Sequence, residues 1–153
     1  MAYPGCAIDH YDSLKTRQQY MRSYNPIDKR MSDEQFAYFK RMLDLTEKHG
    51  VELLVVNMAL SQSNKQLMPP GFYASYLTRL KDACAHRHIQ LADYNSADWD
   101  ANNNFIDTVH ICPYKSTAFV ESLMKSVAAS PVALALSGAQ KRRIGAAASL
   151  QPQ

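Results

Sequence analysis

No stretch of this 153-residue sequence is apolar for long enough to cross a bilayer. The longest apolar run towards the C-terminus, Val132-Ala-Leu-Ala-Leu136, is far short of the roughly 20 residues a spanning helix needs, so no transmembrane segment is expected. The N-terminus, MAYPGCAIDHYDSLK, lacks the basic start, apolar middle and small-residue cleavage site of a secretion signal. Export would therefore need another segment, and the compartment stays open. Charge of one sign is scarce as well: 17 basic against 14 acidic residues leave a net +3, too weak a bias for a nucleic-acid partner. The one basic cluster, Lys141-Arg142-Arg143, sits among Ala, Ser, Gly and Gln and reads as a solvated terminus. Cysteine is rare and odd in number: Cys6, Cys84 and Cys112 at irregular spacing do not make a disulfide framework. At least one thiol must stay unpaired within the chain, and a reducing compartment is compatible.

What is present suffices for one globular domain, since 46% hydrophobic residues can bury a core in a chain of this length. Ser13 to Tyr24 has helix-forming residues, and Asn25-Pro26 ends that segment because proline disfavours helical geometry in the residue before it. A second helix is expected from Ser32, where Ser32 and Gln35 make a capping-box pattern, Phe36, Phe39 and Leu43 fall at helical spacing, and Gly50 suits a left-handed cap. Val51 to Met58 is rich in aliphatic and β-branched residues and reads as a strand buried on both faces, as in parallel sheets. Ser61 to Pro70 is polar and reads as a long loop at the strand's C-terminal end, the edge where open α/β sheets bind ligands. A helix over about 72–87, with Tyr73, Leu77, Leu80 and Cys84 inward, then leads to a short strand, Ile89 to Asp93. Strand, helix, strand is a βαβ unit. A polar loop, Tyr94 to Asn104, follows, and a last helix from about Lys115 to Val127 turns Phe119, Leu123 and Val127 inward.

Between that loop and the last helix stands NFIDTVHICP, which puts Asp107 three residues before His110 among the apolar anchors Phe105, Ile106, Val109 and Ile111. In hydrolytic triads a carboxylate orients an imidazole, whose other nitrogen takes a proton from a nucleophilic hydroxyl. D-x-x-H spacing is also satisfied by an aspartate capping a turn beside an exposed histidine. The position at the exit of a βαβ unit, before the closing helix, favours the catalytic pair.

From Ser32 to Val127, the order of strand, helix, short strand ending in Asp93, then F-I-D-T-V-H-I-C-P and a closing helix, resembles the C-terminal half of an SGNH (GDSL-type) hydrolase domain. It is most similar to the membrane-tethered, extracytoplasmic bacterial branch of D-alanine transfer and alginate O-acetylation proteins. The resemblance implies a three-layer α/β fold with a parallel sheet between helices. It implies ester hydrolysis or O-acyl transfer through a serine acyl-enzyme, with an acyl ester or acylated glycan as substrate and Asp107 and His110 as the family's aspartate and histidine. Ile111 keeps the apolar residue after the histidine, but the family's glycine before the last helix is missing.

The family's G-D-S block has no counterpart after an apolar strand. Tyr11-Asp12-Ser13-Leu14 mimics it, yet CAIDHY before it is short and polar, so Ser13 reads as a helix cap and only a weak nucleophile candidate. Asn57 ends a strand without matching the family's oxyanion block. The expectation is therefore an incomplete SGNH-like region over 32–128, preceded by an extension with one helix over 1–31 and followed by a flexible tail over 129–153. The front half would be missing or supplied by a protein partner, leaving the isolated chain weakly active or inactive. A non-catalytic binding or assembly module is the alternative. Cys84-x-His86-x-His88 with His110-x-Cys112 could offer zinc ligands. On a helix, though, His86 points away from Cys84 and His88, so Cys84 reads as core, the histidines as a polar last turn, and no metal or cofactor is expected. Trp99, in the polar loop, is a candidate for a substrate wall.

Overall fold

The computed structural model describes residues 14–138. Cys6, Ser13 and Lys141-Arg142-Arg143 lie outside the described residues. The order of elements is α1 (Leu14–Tyr24), α2 (Lys29–Lys48), β1 (Leu54–Asn57), α3 (Gln62–Lys65), α4 (Phe72–Ala85), β2 (Gln90–Asp93), a 3-10 turn at Asn102–Asn104, and α5 (Pro113–Ala128). A short helix, α6 (Pro131–Gly138), is set at 69° to α5, so the segment expected as tail begins with helical structure.

Helix α2 starts earlier than the Ser32 pattern implies. Asp28 is its N-cap, accepting from the Met31 N–H at 2.9 Å, and this carboxylate satisfies a donor of the first turn before Ser32 is reached. The C-terminal end follows expectation. Gly50 adopts φ +61°, and the pair of bonds Gly50 N–H to Glu47 O (3.0 Å) and Val51 N–H to Thr46 O (2.8 Å) closes the helix as a Schellman motif.

β1 and β2 pair in parallel, Leu54 opposite Gln90 through Asn57 opposite Asp93, with α4 as the connection, so the βαβ unit is present in a mixed α/β chain. The described sheet has only these two strands. That explains why Leu54, Val55 and Val56 are half-buried where a strand covered on both faces was expected: each strand lacks a neighbour on one edge. Leu54 and Val56, two residues apart and so on one face, pack against a core of Ala59, Ala92, Tyr94, Phe105 and Phe119. Pro113 fits the first turn of α5, where its missing N–H costs nothing. Phe119 of that helix is buried as expected. Trp99 joins the same core, its ring 5.2 Å from Phe119 and nearly perpendicular to it (89°), with Tyr94 4.9 Å from Phe119 and 6.2 Å from Trp99. The half-buried indole thus packs against the aromatic cluster.

Ser61 to Pro70 is the larger departure. Ser61 caps α3 through its hydroxyl, which accepts from the Asn64 N–H at 3.1 Å, and Ser61, Asn64 and Leu67 are buried. This polar stretch is a structured platform, because its side chains find partners on the loop that carries Asp107 and His110.

Candidate functional site

The segment 105–111 is a tight loop closed at both ends. Phe105 and Ile111 form an antiparallel bridge, the Ile106 N–H donates to His110 O (2.9 Å), and the Cys112 N–H donates to Asn104 O (2.8 Å). Phe105, fully buried, anchors the entry. The alternation of apolar anchors and polar residues in NFIDTVHICP is therefore what pins the loop.

Within it, Asp107 and His110 meet. The Nδ1 of His110 lies 2.6 Å from Oδ2 of Asp107, and Oδ1 of Asp107 accepts from the backbone N–H of Val109 (2.8 Å) and of His110 (2.7 Å). Burial pushes the Asp107 carboxyl up, but the two backbone donors and the imidazole together outweigh it and hold the group below its ordinary range. The carboxylate is largely covered while the imidazole is 68% exposed. Among the described residues Nε2 of His110 has no hydrogen-bond partner. A fixed carboxylate and an oriented Nδ1 leave Nε2 open to exchange a proton with a neighbouring group.

Beneath the loop lies α3. The Ser61 hydroxyl donates to Thr108 O (2.7 Å), and Asn64 Nδ2 donates to Thr108 Oγ1 (3.1 Å). The polar loop before the site is tied to the same platform: Lys65 Nζ lies 2.6 Å from Asp100 Oδ2, both side chains mostly buried, and the Gln62 N–H donates to Asp100 O (2.9 Å). Asn57, at the C-terminal end of β1, donates to Tyr73 Oη (3.0 Å) and to Asp93 Oδ1 (2.9 Å). Burial pushes the Tyr73 phenol up to about 12, so it stays protonated and serves as a partner for Asn57, not as a base.

None of the described nucleophiles serves His110. Ser61 is bonded closest to the loop, but it is fully buried and its proton is committed to Thr108 O. Cys84 is free, buried, and its thiol is pushed up by that burial, which makes it an inert core residue. Cys112 is disulfide-bonded, so neither thiol offers a thiolate for zinc, and among the described residues no group of three or more His, Cys, Asp or Glu could hold a metal. One bridge is not a disulfide framework, and Cys84 supplies the unpaired thiol that the odd count requires. No helix among the described residues is by itself long and apolar enough to cross a membrane.

The sequence pointed to Asp107 and His110 but not to Ser61, Asn64 and Thr108. A serine followed three residues later by asparagine at the head of a polar segment was the available sign, as a helix cap. No family model, no curated protein and no solved structure matches the chain.

Proposed function

We propose that Asp107 and His110 are the base-and-orienter half of an SGNH-type acyl-transfer site, acting on an acyl ester or acylated glycan, with the nucleophilic serine contributed from outside the described residues. The observation that carries this reading is the 2.6 Å contact between His110 Nδ1 and Asp107 Oδ2, made while backbone donors fix Oδ1 and Nε2 stays open. In this scheme Asp107 holds the proton on Nδ1 and Nε2 accepts the serine proton as the hydroxyl attacks the acyl carbonyl. His110 then passes that proton to the departing alkoxide, and later activates water or an acceptor hydroxyl to release the acyl group. The full three-layer arrangement belongs to the same proposal. Leu54 and Val56 pack against the core that includes Phe119 of α5, and α2 and α4 wall a cleft beside Val55 and Val56, so helices stand near the strand on more than one side.

Fluorophosphonate labelling tests the reading. The chain alone should label only weakly. Protein purified from its native source, with whatever precedes or accompanies this chain, should carry a labelled serine whose labelling is lost in His110→Ala. Absence of any His110-dependent labelling in either sample would sink the catalytic reading.

The same cleft favours a second reading, a non-catalytic module that docks onto a partner. It encloses about 410 Å³ beside β1, walled by Phe36 and Phe39 of α2 and Phe72 and Leu80 of α4. Successive strand residues point to opposite faces, so a cleft lined by both Val55 and Val56 opens on the strand's edge. Unpaired edges of this kind recruit further strands.

A further inference from the structure

We infer that Asn64 and Ser61 are positioning residues for the Asp107–His110 pair, acting through Thr108, an inference that rests on the acyl-transfer reading of that pair. Thr108 lies between the two, and α3 grips it on both its backbone and its side chain. Its carbonyl accepts from the Ser61 hydroxyl at 2.7 Å and from the Ser61 N–H at 3.4 Å. Its Oγ1 accepts from Asn64 Nδ2 at 3.1 Å. Asn64 is held in turn: its N–H donates to Ser61 Oγ (3.1 Å) and its Oδ1 accepts from the Tyr24 hydroxyl of α1 (3.0 Å).

Ser61, Asn64 and Thr108 are each fully buried. A buried amide that bonds both the loop and α1 can adopt few alternatives, because each rotation would leave a polar group without water or partner. The network therefore fixes the backbone at Thr108. That backbone sets where the neighbouring Asp107 carboxylate stands relative to the N–H groups of Val109 and His110, and so whether Oδ2 reaches Nδ1. Tyr24 extends the grip to α1, which gives the N-terminal helix a hold on the geometry of the dyad.

The consequence is measurable without turnover. Free neutral imidazole in water favours the proton on Nε2, whereas the Asp107 contact holds it on Nδ1. Long-range 1H–15N spectra of His110, taken about two pH units above the ordinary imidazole value, should show the Nδ1–H tautomer predominating in the parent chain and in Thr108→Ser. In Asn64→Ala and Thr108→Val the population should move towards Nε2–H. The Asp107 carboxyl, followed by 13C titration, should rise towards its ordinary value in the same two variants. Asn57→Ala is the control, since Asn57 is another buried amide bonded to Tyr73 and Asp93. It should lower the melting temperature and leave both readouts unmoved. If Asn64→Ala fails to fold, Thr108→Val against Thr108→Ser decides. Variants that melt earlier yet keep the parent tautomer and the parent Asp107 titration would overturn the positioning role. Because neither readout involves an acyl group, it can fail while His110-dependent labelling stands, and the reverse.

Discussion

Asp107 uses its two oxygens differently, so both arrangements that D-x-x-H spacing allows are present at once. Oδ1 caps the turn through Val109 and His110, as the plain structural alternative requires, while Oδ2 meets the imidazole, as the catalytic one requires. His110 is exposed in either case. The carboxyl is held below its ordinary range despite burial. A group whose folded pKa is depressed contributes stability above its unfolded value, near ~3.9 for aspartate, and that contribution disappears as pH falls through the folded value. Asp107→Asn keeps an oxygen for the backbone donors but loses the charge, so it should cost about 1 kcal/mol of unfolding free energy at neutral pH. The gap from the parent should narrow as pH falls and close in acid below the folded value, where both states are protonated. Urea unfolding at neutral pH and in acid reads this directly, and a gap of equal size in acid would remove the charge from the account.

At the level of elements, features set by neighbours in sequence were legible and those set by distant partners were not. The helical periods of α2, α4 and α5 and the glycine that closes α2 depend on residues within a turn or two, and the structure has them within a few positions. The start of α2 was displaced because two plausible caps compete, and Asp28, standing first after Pro26, takes the role from Ser32. Asp28→Ala should therefore lower stability by about 1 kcal/mol. Ser32→Ala should leave the urea midpoint nearly where it was, and the reverse order of the two effects would restore the capping box. By contrast, α3 looked like loop because what holds it lies 47 and 44 residues further on, at Thr108. No local pattern carries that information. The Asp107–His110 contact was readable because three residues of sequence separation keep it local.

For the molecule as a whole, the small sheet governs what it can do alone. Among the described residues, two strands of four residues leave backbone groups unpaired along an edge, and so small a sheet depends on packing against helices for its stability. Which groups face outward follows from one bond. Asn57 O accepts from the Tyr94 N–H at 2.9 Å, so Asn57 directs its backbone groups at β2; alternation then gives Val55 the same direction and turns those of Leu54 and Val56 to the open edge. Val56 also lines the edge cleft between α2 and α4. The amide of Val56 should therefore exchange with solvent deuterium faster than that of Val55, by roughly an order of magnitude or more, although they are neighbours in one strand. The docking reading requires that this edge receive a strand from a partner. Protection of Val56 should then appear in protein isolated with its natural partner segment, while Val55 changes little. Equal protection of the two amides in the chain alone would mean that the edge is already occupied, and the docking argument would go with it.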